Sequence, residues 1–258
     1  MRLMKRILSA AAVLALSASL LVGCSSGTAS SVPVSASSAA ESTVSSVEET
    51  ASSAVDENKA AAAQLLNDLT GSYQELWPVI LADEYKQTWL DDCTALVGED
   101  NAEAAFEKLS SMVTGDVYGE DAVKAYANGG GAYFCGFTNS LAILTFDGET
   151  STISGTDKDG NVLFSHTYHY IGMEPVRGLY EFQSDDADSG EFTYFFLAPD
   201  TSAETYHIEF RYGSDAEALS QYDTGEYAYW LASGISTDCD QTMIDNCIEL
   251  FCTENLAG

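Results

Sequence analysis

This chain of 258 residues reads as a mainly β protein with flanking helices, its strands laid out as an antiparallel barrel or sandwich. Three observations carry that reading. From residue 131 onward, seven short segments rich in β-branched and aromatic residues follow one another, at 132–138, 140–146, 150–156, 162–171, 178–184, 192–197 and 205–212. Their even length suits antiparallel strands joined by turns better than an alternation of strands and helices. Gly148, Gly160 and Gly190 stand between some of them, where tight turns favour glycine. Upstream, apolar residues recur at three- and four-residue spacing, as in amphipathic helices.

Taken in order, residues 56–69, with Leu65, Leu66 and Leu69, predict a helix. Residues 73–80 read as a short strand or helical turn carrying Trp77. Two amphipathic helices follow, over 84–97 and 101–113. In the second, Ala105, Leu109 and Met112 form the apolar stripe and Asn101 the cap. After the strands come helices over 215–222 and 238–251, the last capped by Asp238.

The stretch 191–215, EFTYFFLAPDTSAETYHIEFRYGSD, is the most informative. Two alternating aromatic and polar runs flank a Pro/Asp/Thr/Ser turn, the pattern of a β-hairpin. Side chains alternate with period two, so His207 and Glu209 share one face of the second strand. Such a pair is half of a transition-metal site, because tetrahedral zinc takes three or four protein ligands. It is also what a plain solvated face contains. Of the other histidines, His166 lies in phase with Tyr168 and Tyr170, and His169 with Ser165 and Thr167, so the two face opposite ways.

This segment resembles the ZinT family, periplasmic or surface zinc-binding proteins with a calycin (lipocalin-like) barrel, a domain also found as the tail of some zinc-uptake lipoproteins. The likeness runs through Phe192, Thr193, Tyr194 and Phe195, then Phe196, Leu197, Ala198 and Pro199, then His207, Ile208 and Glu209 into Arg211, Tyr212, Gly213, Ser214 and Asp215. It extends to residues 69–78, 145–150 and 166–172 and, without the family's prolines, to 225–230, covering about residues 65 to 250. The resemblance implies an antiparallel calycin β-barrel that holds a divalent metal, zinc, with a metal-uptake transporter as partner. Family zinc is held by three histidines, which fall here on Phe195, His207 and Glu209. Phenylalanine has no lone pair to give, whereas glutamate binds zinc through oxygen. His207 and Glu209 therefore remain as ligands, and His166, inside the implied barrel, is either a relocated third ligand or a hydrogen-bonded interior or rim histidine.

Residues 1–24 read as a lipoprotein signal peptide: Arg2, Lys5 and Arg6 precede a short apolar run ending Leu21-Val22-Gly23-Cys24, which resembles a bacterial lipobox. Cleavage before Cys24 and lipidation of its sulfur would anchor the protein on the outer face of the cytoplasmic membrane. Residues 25–55, rich in Ser, Ala, Thr and Val, read as a disordered tether, and 56–258 as the folded domain. At about 3.3 Å per residue the tether spans roughly 100 Å.

The mature chain has seven basic and 40 acidic residues, a net charge of −33, which argues against nucleic acid and against membrane contact other than through the lipid anchor. Besides Cys24 it holds Cys93, Cys135, Cys239, Cys247 and Cys252, an odd number, with the last three placed for a disulfide in the C-terminal tail. No catalytic motif stands out, and paired acids such as Asp185-Asp186 read as solvated charge. The sequence thus predicts no enzyme. It leaves three readings: a metal-binding domain, a barrel holding a small apolar ligand or a protein partner, and a tethered structural element.

Overall fold

The computed structural model describes residues 57–127, 131–200 and 202–257. The expected signal peptide with Cys24 and the expected tether lie outside them. Among the described residues, no helix is long and apolar enough to cross a membrane.

Eight strands close an antiparallel barrel in which each pairs with its neighbours in sequence and β1 with β8. They are β1 (Gly71–Glu75), β2 (Ile143–Asp147), β3 (Thr152–Thr156), β4 (Val162–Met173), β5 (Tyr180–Ser184), β6 (Tyr194–Leu197), β7 (Ile208–Gly213) and β8 (Ala232–Ser236). Closure leaves no unpaired edge. The expected calycin-type architecture is therefore present, as a barrel and not a sandwich.

Alternation decides what fills it. Leu144, Phe146, Ile153, Phe164, Tyr168, Phe182, Phe195, Phe210 and Tyr212 form one buried core with Tyr73. Helix α1, over residues 57–68, adds Ala62, Leu65 and Leu66 to that core and lies against the turn between β2 and β3. There a Cβ on Gly148 would stand 2.4 Å from the Asn67 Cα, so only glycine admits the helix so close.

A second core lies outside the barrel. Helices α2 (Leu76–Ile80), α3 (Lys86–Val97), α4 (Glu99–Val113) and α8 (Gln241–Leu256) bury Trp89, Leu109, Ile244 and Ile248 against the outward Ile235 of β8. The described residues also include the shorter helices α5 (Glu120–Ala125), α6 (Ser202–Thr205) between β6 and β7, and α7 (Ala216–Leu219).

Several expectations are corrected. The segment 132–138 is not a strand of the sheet, because Phe134 bridges to two different partners, Thr114 and Trp230. Gly98, at φ 83°, and not Asn101, caps α4, while the Asn101 side chain donates back to the Val97 carbonyl. Met112 is exposed, off the stripe that buries Ala105 and Leu109. Asp240, accepting from the Met243 amide, caps α8 in place of Asp238. The five described cysteines are free thiols, with no disulfide in the tail.

Arg211 is fully buried on the outer side of β7. Its guanidinium donates to the carbonyls of Leu219, Gln221 and Tyr227 and lies 4.4 Å from the Tyr222 ring centre. A buried cation is thus solvated by backbone dipoles and an aromatic face, and it fastens the loop after α7 to the barrel wall.

Candidate functional site

Outward from β7, facing α8, lies a pocket of about 120 Å³ lined by Ala198, Asp200, Thr205, His207, Glu209, Phe251 and Glu254. The chain reaches it through Tyr206, whose φ of 64° is costly for a residue with a Cβ. This turn delivers His207 to the outer face just before β7 begins. Phe251 and Glu254, three residues apart, come from one face of α8.

The hydrogen bonding of His207 fixes its chemistry. Nδ1 lies 2.7 Å from the Thr205 carbonyl, which can only accept, so Nδ1 carries the proton. In the neutral ring Nε2 then keeps its lone pair, the arrangement common to metal-ligating histidines, whose other nitrogen donates to a carbonyl or carboxylate. The Thr205 hydroxyl donates to the His207 carbonyl at 3.0 Å and stiffens the same turn.

Glu209 is half-buried. Desolvation raises its carboxyl above the ordinary range; His207 and Arg177 oppose that shift, and Asp200 and Glu254 add to it. Three carboxylates and one imidazole therefore face a restricted space, where a cation would relieve their repulsion. Nitrogen and carboxylate donors suit zinc among the transition metals. Among the described residues, however, no three His, Cys, Asp or Glu side chains stand where they could hold an ion as placed.

His207 and Glu209 are thus together, as period two requires, but on the outer face of the wall. His166 is elsewhere. It points inward with Phe164 and Tyr168, and its Nδ1 lies 2.7 Å from Asp186 Oδ2. Strand register sets it toward the end of the barrel formed by the β5–β6 connection, whereas His207 stands at the end formed by the β6–β7 connection. The expectation that His166 completes the ligand set is corrected by this separation. Phe195 also points inward, opposite Tyr212, so the three positions matched to the family's histidines do not share a face. Asp185 and Asp186 are more than loop charge, since Asp185 meets the exposed His169 at 2.6 Å and Asp186 meets His166.

Two side chains at the pocket were not singled out from the sequence. Asp200 lies in the turn after Pro199, and Glu254 lies past the expected end of the last helix. The spacing of Cys247, Phe251 and Glu254, at i, i+4 and i+7, was the available signal.

Cys247 Sγ is 3.9 Å from His207 Nδ1, a contact that invites comparison with a Cys–His dyad. The chemistry does not suit one. Burial pushes the Cys247 thiol up to about 12, and the nearby ring nitrogen already holds its proton against Thr205. The pair is therefore packing, with no thiolate to attack a substrate.

No family model and no curated protein matches the chain. Among solved structures it is similar to the Zn(II)-bound ZinT-like domain of AdcA from Streptococcus pneumoniae, with 15% identity and a TM-score of 0.45 over 72% of this chain and 89% of that one. It is also similar to Zn(II)-bound AdcA from the same organism, with 15% identity and a TM-score of 0.41 over 75% of this chain and 35% of that one.

Proposed function

We propose that this chain is a surface lipoprotein with a ZinT-like domain that holds one divalent cation, zinc, in the pocket between β7 and α8. His207 would supply an imidazole nitrogen and Glu209 a carboxylate oxygen. Asp200 or Glu254 would close inward on the ion, with water completing the shell. The observation that carries this reading is the Thr205 carbonyl, which holds the proton of His207 on Nδ1 and leaves Nε2 free beside a desolvated carboxylate.

One nitrogen among oxygens makes a weaker zinc site than a set of imidazoles. That suits a protein that buffers zinc or passes it to an uptake system more than one that stores it. The likeness of motifs along residues 192–215 and the closed barrel support the family reading. The alternative of a ligand inside the barrel has less support, because rings from Phe164, Tyr168, Phe210 and Tyr212 crowd around Phe195.

Calorimetric titration of the full chain with zinc tests the site. The expected result is one zinc per chain, with affinity at least tenfold lower in His207→Ala. Equal affinity in parent and variant would place the metal elsewhere. For delivery, the proposal is lipidation at Cys24 and anchoring on the outer face of the cytoplasmic membrane, supported by the lipobox-like Leu21-Val22-Gly23-Cys24. Cys24→Ser should move the protein from the detergent phase to the aqueous phase on phase separation. Unchanged partitioning would exclude the anchor.

A further inference from the structure

Cys93 in α3 and Cys252 in α8 lie 159 residues apart in sequence, yet their sulfurs are 3.9 Å apart and both residues are fully buried. Helices α3 and α8 pack directly on one another through this point, with Trp89 and Phe251 in edge contact beside it. A disulfide requires about 2.05 Å between sulfurs, so this pair stands about 1.9 Å from bonding distance across the packed helices.

We propose that Cys93 and Cys252 are a disulfide-forming pair that locks α8 onto α3 when the protein meets an oxidising exterior. The bond would tie the last helix of the fold to the helical layer outside the barrel. This goes beyond the metal reading and does not depend on it.

The chemistry is thiol–disulfide exchange with a disulfide oxidant, either a small molecule or an exported oxidoreductase. One thiolate attacks a sulfur of the oxidant, breaking its S–S bond, forming a mixed disulfide and expelling one thiolate. The second cysteine thiolate attacks the mixed disulfide on the protein sulfur and releases the other half of the oxidant. Two cysteine protons and two electrons end on the oxidant, which leaves as two thiols.

Both thiols are fully buried, so the folded interior shields them from an oxidant in solution. Exchange therefore proceeds during folding or when the end of α8 opens. Cys252 lies in the last turns of that helix, which ends at Leu256.

The remaining thiols are placed differently. Cys247 contacts His207, and Cys135 contacts the Tyr133 carbonyl at 3.8 Å. Oxidation should thus select one pair out of the five described cysteines.

The test refolds the full chain in oxidised glutathione, alkylates free thiols under denaturing conditions and maps peptides by mass spectrometry. The expected product is a peptide pair linked through Cys93 and Cys252, with a mass two hydrogens below that of the two reduced peptides. The midpoint of thermal unfolding should rise by roughly 10 °C over the reduced form, because the bond closes a long loop. Cys252→Ala and Cys93→Ala should each abolish the rise, while Cys239→Ala retains it. A link between Cys239 and Cys247, or full alkylation of Cys93 and Cys252 in the parent, would overturn the proposal without reference to any variant's folding.

Discussion

Replacing Phe195 by histidine separates what the sequence alignment implies from what the structure implies. If Phe195 were a vacated ligand position beside His207 and Glu209, Phe195→His would rebuild a site and strengthen zinc binding. In the barrel, however, Phe195 points inward, fully buried, with Phe164, Tyr168, Phe210 and Tyr212 at centroid distances of 5.4–6.5 Å. Each such aromatic pair contributes about 0.5–1.5 kcal/mol beyond area burial. An imidazole keeps part of that packing but buries polar nitrogens without partners, at a further cost of about 1–3 kcal/mol. The sum is a loss of about 4 kcal/mol, or roughly 10 °C in a domain of this size. Zinc calorimetry and a thermal melt on parent and variant provide the assay. The expected result is a melting point lowered by that amount, with zinc affinity changed by less than about threefold. A gain of tenfold or more in affinity, about 1.4 kcal/mol, with stability intact would refute the inward placement of this side chain.

Glu209→Gln should weaken zinc binding yet stabilise the metal-free protein at neutral pH. The carboxyl's value is raised in the folded state above the ordinary 4.5, so the folded protein favours its protonated form. Its ionisation therefore destabilises the fold as pH rises past 4.5, and the advantage of the variant should fade on acidification below that value; an equal gap at all pH values in denaturant melts would contradict this. His166→Ala should leave zinc affinity unchanged, and a tenfold loss would return that residue to the site. Arg211→Lys should cost about 3 kcal/mol in chemical denaturation, because an ammonium cannot span the carbonyls of Leu219, Gln221 and Tyr227 while lying flat on Tyr222. Gly148→Ala should destabilise by more than Gly160→Ala, since a Cβ clashes with the Asn67 backbone at the first, whereas at the second it meets nothing within 4 Å and adds only the backbone strain of a φ of 82°; equal melting points would argue against the docking of α1.

The strands that announced themselves in the sequence are those whose inward residues are large. β4, β5 and β7 carry Phe164, Tyr168, Phe182 and Phe210 between polar or more exposed neighbours, and period two exposes them. Closing strand β8, Ala-Ser-Gly-Ile-Ser, gave no such signal. Its inward positions are small because the wall is tight there: a Cβ on Gly234 would meet Ile208 at 3.1 Å and Tyr73 at 3.3 Å. The residues that complete the barrel are thus poor strand formers by composition.

The candidate site was half legible for a related reason. Alternation placed His207 and Glu209 on one face, but both faces of β7 are covered, one by the barrel core and the other by the turns and helices outside it. Ile208, Phe210 and Tyr212 mark the inward face, but alternation alone could not say that the opposite face, with His207, Glu209 and the buried Arg211, is covered and not solvated. Asp200 and Glu254 reach the pocket only through tertiary packing, from a turn and from a helix that runs five residues beyond its expected end.

Anomalous diffraction at the zinc absorption edge from zinc-soaked crystals locates the metal without reliance on any substitution. The proposal requires a peak within about 2.1 Å of His207 Nε2 and adjoining Glu209 between β7 and α8. A peak beside His166 and Asp186, or no peak in that pocket at saturating zinc, would contradict it.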